Sequence, residues 1–175
     1  PNPTQRQLLT VRLHNPPGPL VVLRGYVQYE APDCVYSTDR FAGATASPEA
    51  SAQIELTRTS EATWQGYFNL DEFENRDLDG DAGPMGVCHW AITSVRISVS
   101  ASGKEGETIY MPSIRRQQDG TLARESLNYF THRAYPGTPL PHGGGSYVSL
   151  PQRARPDLPE HEVFVAVLSI ESVMP

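Results

Sequence analysis

The chain has 175 residues, 38% of them apolar, with 16 Pro, 14 Gly and a formal net charge of −6. That length suits one domain, residues 1–175, with a core that needs no metal, and the apolar content is too high for a disordered chain. The acidic balance and the lack of a basic stripe argue against a nucleic-acid binder, and no run approaches the ~20 apolar residues of a membrane-spanning helix.

Frequent Pro and Gly predict many short strands and no long helix. Residues 7–13 alternate, with Leu9, Val11 and Leu13 on one face and Thr10 and Arg12 on the other, as in a half-buried strand. Residues 15–19, Asn-Pro-Pro-Gly-Pro, form a turn. Residues 20–29 resume as a strand placed to pair with the first as a hairpin. Residues 32–48 read as loop, with Cys34 near its start. A third strand covers 52–56 and a fourth 64–70, joined by a tight connection at 58–62. Trp64, Gly66, Phe68 and Leu70 share one side of the fourth.

Residues 71–87 are acidic and irregular. From Trp90 the strand pattern returns, but the parity of Trp90 and Ile92 differs from that of Val95, Ile97 and Val99. One extra residue at Thr93 and Ser94 restores a single buried face, so a β-bulge is expected there. A polar turn at 102–106 leads to a strand at 108–114, completing a hairpin. Residues 124–135 are the one plausible helix, with Leu122, Leu127, Tyr129 and Phe130 at helical spacing and Pro136 as its limit. Residues 136–155 form a Pro/Gly/Ser loop with a short strand at 147–150. The final strand, 162–173, is apolar on both faces and is therefore central or covered on both sides.

Seven or eight short strands at these spacings predict a mainly β fold: an antiparallel β-sandwich, immunoglobulin-like, with at most one short helix. Its expected core includes Trp90, Ile92, Val95, Ile97, Val165 and Val167. The two cysteines, Cys34 and Cys88, make an even count. Pro1-Asn2-Pro3-Thr4 reads as the start of a mature or trimmed form without Met or signal sequence. Together these suggest export and one disulfide.

Few patterns carry chemistry. Asn75, Asp77, Asp79 and Asp81 with Gly80 resemble half of a calcium loop, but the twelfth position is Gly86 instead of the bidentate Glu. A looser calcium site and an acidic face for a basic partner both remain open, and no metal ligand set is assigned. His142 and Gly143 to Gly145 imitate an esterase oxyanion loop, yet no G-x-S-x-G nucleophile motif accompanies them. The five histidines contain no H-x-x-x-H pair. The chain therefore reads as a non-enzyme that needs no cofactor.

Gly86-Val87-Cys88-His89-Trp90 follows Tyr67-Phe68-Asn69-Leu70-Asp71-Glu72, and Leu127-Asn128-Tyr129-Phe130 precedes His132-Arg133. This combination resembles small, often lipid-anchored periplasmic proteins of Gram-negative bacteria found beside type VI secretion phospholipase effectors. The resemblance covers about residues 20–135 and the last strand. Relatives have a shorter, more aromatic link before Gly86, where this chain carries the segment 75–84. The resemblance implies an immunity protein: it binds and blocks its cognate phospholipase in the periplasm, with a lipid anchor upstream of this sequence. A calcium-dependent carbohydrate-binding or adhesion module using Asp77, Asp79 and Asp81 is the alternative. Binding is expected in loops. Asp77, Asp79 and Asp81 would steer a basic partner, and Tyr135, Leu140, His142 and Tyr147 would act as anchors between prolines and glycines.

Overall fold

Strands with one apolar face bury it by closing two sheets on each other. The chain is organised in this way in a computed structural model that describes residues 3–39, 41–80, 83–137 and 159–173. One sheet has five strands in the order β12 (Glu125–Thr131), β13 (Val163–Ser172), β1 (Arg6–His14), β7 (Thr63–Asn69) and β6 (Thr57–Ser60). The other has four: β11 (Ser113–Arg115), β10 (Ala91–Ser100), β2 (Val21–Glu30) and β5 (Glu49–Ile54). Neighbouring strands are antiparallel throughout. Two hairpins stand apart, β3 (Tyr36–Asp39) with β4 (Ala44–Ala46), and β8 (Arg76–Gly80) with β9 (Gly83–Cys88).

The fold is mainly β and sandwich-like, with no α-helix among the described residues. Leu9, Val11, Phe68, Phe164 and Leu168 of the larger sheet share one apolar cluster with Val27, Ile54, Val95 and Ile97 of the smaller. Tyr110 packs edge-on against Phe130 and Phe164 inside it. The bulge is present: the register of β10 against β2 jumps between Ile92 and Ser94. β13 is central, flanked by β12 and β1.

Several expectations are corrected. β1 and β2 do not pair as a hairpin; they lie in different sheets. Both edges of β1 are already occupied, by β13 and β7. The Pro-rich link carries no hairpin turn signal and crosses between the sheets instead. Residues 124–135 are not a helix but mostly strand β12, followed by a single 3-10 turn at His132–Ala134. Helix would leave one edge of β13 unpaired, whereas seven residues of β12 pair along it. The connection at 58–62 contains edge strand β6, and the loop at 32–48 contains the β3–β4 hairpin.

Core parity on β13 is also reversed. Phe164, Ala166, Leu168 and Ile170 face the core, while Val165 and Val167 are half-buried on the outer face. Trp90 is half-buried too, because it sits between the main core and a small second cluster. The 147–150 strand lies outside the described residues.

On one flank the sheet edges β11 and β12 meet, and Asn128 closes the seam. Its Oδ1 accepts the Ser113 backbone N–H at 3.1 Å and its Nδ2 donates to the Ser113 carbonyl at 3.3 Å. The side-chain amide thus takes the place of a pairing strand at an exposed edge. The two faces of β13 give a direct test of the packing. Leu168→Ala, at 0% exposure, should cost about 2–5 kcal/mol in a urea melt. Val167→Ala, on the half-covered outer face, should cost clearly less.

Candidate functional site

Cys34 lies just beyond β2 and Cys88 ends β9. Their sulfurs are bonded, their Cα atoms are 5.6 Å apart and 54 residues separate them in sequence. Both are buried with Ala31 in a cluster of their own, against which Leu78, Met85 and Trp90 pack. Trp90 reaches the main core through Phe73, at 5.3 Å between ring centroids, and Phe73 meets Tyr29 edge-on at 5.0 Å. The disulfide therefore fastens both hairpins to the sandwich at one point.

Asp33 and His89, the neighbours of the two cysteines, form a second tie. The His89 backbone N–H donates to Asp33 Oδ1 at 3.0 Å, and its ring Nδ1 lies 2.6 Å from Oδ2. The bond from the His89 ring, then that from its backbone, holds the Asp33 carboxyl below its ordinary 3.8. Asn75 Oδ1 accepts the N–H of Trp90 at 3.0 Å, fixing where β8 begins. The segment expected to be irregular is thus a hairpin, with Arg76 opposite Cys88 and Asp77 opposite Val87. Its charges and glycines hide strand character, and the disulfide and small cluster supply what propensity does not.

At the tip of the β3–β4 hairpin, Asp39 Oδ1 accepts the backbone N–H groups of Phe41 (2.8 Å) and Ala42 (3.0 Å). These bonds, that of Ala42 foremost, lower the Asp39 carboxyl below its ordinary value. Gly43 takes a positive φ of 66° to complete the turn. The ordered tip leaves Phe41 with no cover at all, at 104% relative exposure. Val35 and Val87, next to the bridged cysteines, are 55% and 52% exposed. Chain geometry keeps their Cα atoms within about 13 Å of each other. Of the seven large, exposed apolar side chains among the described residues, three, including the most exposed, sit on the disulfide-linked segments, and Val21, Tyr67, Met111 and Leu127 lie elsewhere.

The sequence-derived site residues are distributed unevenly. Asp77 is exposed on β8 and Asp79 follows it, opposite Pro84. Asp81, Leu140, His142 and Tyr147 lie outside the described residues. Tyr135 is half-buried and serves the fold: its hydroxyl donates to the Pro19 carbonyl at 3.1 Å. Its ring stands 2.7 Å from where a Cβ on residue 18 would lie, so Gly18 has no room for a side chain. Among the described residues no three His, Cys, Asp or Glu groups converge as a metal site, and Asn75, the first residue of the calcium-like run, is committed to Trp90. Phe41 and Val35 were missed in sequence because a lone apolar residue in a loop carries no period; the one available signal was proximity to Cys34.

Compared with known proteins, the chain matches no family model, no curated protein and no solved structure.

Two outcomes follow from the geometry of the bridge. Replacing Cys34 and Cys88 by Ala should lower stability by about 4 kcal/mol on the chain-entropy account for a loop of this length, read from urea melts in which the slope also rises as the unfolded chain loses its cross-link. Asp33, its folded pKa depressed, contributes stability above its unfolded pKa and loses it as pH falls through the lower folded value. NMR titration should find Asp33 protonating below 3.8, with the His89 amide signal moving in the same step and that step absent in Asp33→Asn.

Proposed function

We propose that this domain is an immunity protein that captures and blocks a type VI secretion phospholipase effector in the periplasm, and that it performs no chemistry of its own. The observation that carries this reading is the pair of hairpins fastened at Cys34–Cys88, with Phe41 fully exposed on a tip already ordered by Asp39. A blocking protein gains affinity by ordering its contact surface before the partner arrives. Aromatic side chains at such positions are common binding hot spots. A buried disulfide fits an oxidising compartment such as the periplasm. The resemblance around Gly86-Val87-Cys88-His89-Trp90 supplies the class of target. In the expected complex Phe41 enters an apolar pocket of the effector, Val35 and Val87 widen the contact, and Asp77 faces a basic rim. Attachment to the membrane through a lipid anchor upstream of Pro1 belongs to the same proposal.

The test pairs this protein with each of a panel of phospholipase effectors expressed in the periplasm of a sensitive bacterium. One pairing should restore growth, and the purified complex should lose lipase activity. Phe41→Ala should weaken that complex by tenfold or more, in keeping with a hot spot of about 2 kcal/mol, while leaving the urea midpoint unchanged. Asp77→Asn should act mainly on the association rate and its salt dependence. Failure to protect against any effector sinks the proposal, and calcium-dependent glycan binding in its place would establish the adhesion reading.

A further inference from the structure

A second feature lies where the two sheets part, below the crossing from β11 to β12. An open cleft of about 700 Å³ has Ile92 and Ile170 in its floor and half-buried Leu70 and Leu122 in its walls. Its volume is within the range of small-molecule sites. Among the described residues, the charged side chains lining it are Arg116 and Arg124, and no carboxylate lines it. Among the described residues neither arginine lies within salt-bridge distance of an acid; the two ion pairs are His89–Asp33 and Arg133–Glu162. The nearest acid in sequence within the crossing, Asp119, is used by its own turn, accepting the N–H and hydroxyl of Thr121.

Both guanidiniums are held by neutral groups. Arg124 Nη1 donates to Gln7 Oε1 at 3.1 Å and to Ser172 Oγ at 3.2 Å. Gln7 is itself buried, and its Nε2 donates to the Arg6 carbonyl at 3.0 Å, so the acceptor that aims Arg124 is fixed by the strand beneath it. Arg116 donates through Nε to the Gly120 carbonyl at 3.2 Å. The hydrogen bonds among described residues therefore leave the terminal Nη1–Nη2 edge of Arg116 and the Nε–Nη2 edge of Arg124 available. Such edges match the two oxygens of a carboxylate or phosphate. In a chain of net charge −6, two arginines with no acidic partner among the described residues stand above an apolar floor.

We propose that this cleft binds a small amphipathic anion, its carboxylate or phosphate between Arg116 and Arg124 and its aliphatic tail on Ile92, Leu122 and Ile170. The site is separate from the hairpin surface and does not depend on its role. Full-length, disulfide-bonded protein is titrated calorimetrically with octanoate, octyl phosphate and 1-octanol, and the contact is mapped by backbone amide shifts. Both anions should bind saturably and shift residues 91–92 and 116–124, and the tighter of the two identifies the head group. Octanol should bind about tenfold more weakly or worse, as expected for loss of charged hydrogen bonds. Arg116→Gln should weaken both anions by a similar factor and leave octanol unchanged. Arg124→Gln should do the same, with an unaltered melting temperature showing that the Gln7 contact is not needed for folding. Equal affinity for octanol and octanoate, unchanged anion affinity in both arginine variants, or shifts confined to other residues would overturn the proposal.

Discussion

β1 and β13 pair along most of their length, from Gln7 opposite Ser172 to His14 opposite Val165. The larger sheet is built outwards from that ladder, β12 adding to β13, and β7 then β6 adding to β1. Its centre therefore joins segments more than a hundred residues apart, and the entropy of closing that loop must be met before any of these contacts forms. The register sets Leu9 opposite Ile170 and Val11 opposite Leu168, so the ladder presents four side chains on the face that packs against the other sheet. The ladder also positions the cleft. Gln7 and Ser172 are register partners, and the Arg124 guanidinium is held by both of their side chains.

The hairpins obey a different economy. They lie outside both sheets and rest on a few side chains around Ala31, Cys34 and Cys88. Two short hairpins with so little apolar footing would be marginal alone. The disulfide, the Asp33–His89 tie and the Asn75–Trp90 bond all act at their base, so the order of the exposed tips does not have to come from burying them. That separation allows Phe41 to remain in solvent. Its burial in the domain would add stability and remove the proposed contact surface.

The strands with strong period-two alternation, β1, β7 and β10, were legible in the sequence, as was the bulge between Ile92 and Ser94, because a parity change has only one inexpensive remedy. The disulfide followed from the even cysteine count taken together with the expectation of export. β12 was not legible as strand: over seven residues, Leu127, Tyr129 and Phe130 satisfy helical and extended spacing equally, and the deciding factor is the free edge of β13, a tertiary demand. The faces of β13 were misjudged because both are apolar, so parity alone cannot say which packs inward. β8 and β9 carry charge, Gly and Pro, and are strands because a covalent bond and a small cluster hold them so. Of the candidate site, the acidic arm at Asp77 was readable from composition. The apolar contacts at Val35, Phe41 and Val87, and the arginine pair that the β11-to-β12 crossing brings together, depend on exposure and three-dimensional placement.

The two surfaces lie at the same end of the sandwich, and the chain's path explains why. β2 leaves that end into Cys34, and β9 returns through Cys88 to Trp90, from which β10 begins at Ala91. Ala91 and Ile92 line the cleft three and four residues after Cys88, with Trp90 packed on the disulfide cluster between them in sequence. Leu70, at the exit of β7, lines the same cleft and leads directly into Asp71 and the acidic arm. Asp71 is committed to the chain's own entry into β1, accepting the backbone N–H groups of Thr4 and Gln5 at 2.8 and 2.9 Å. These bonds hold its carboxyl below the ordinary range although burial opposes them, and they tie the start of β1 to the end of β7. At the opposite end, among the described residues, Tyr135 rests on Pro19 and Gly18, and Glu107 accepts from Ser102 and Gly103 within their own turn. Disulfide, hairpins and cleft thus converge at one end of the sandwich, beside the bonds that tie the start of β1 to the end of β7.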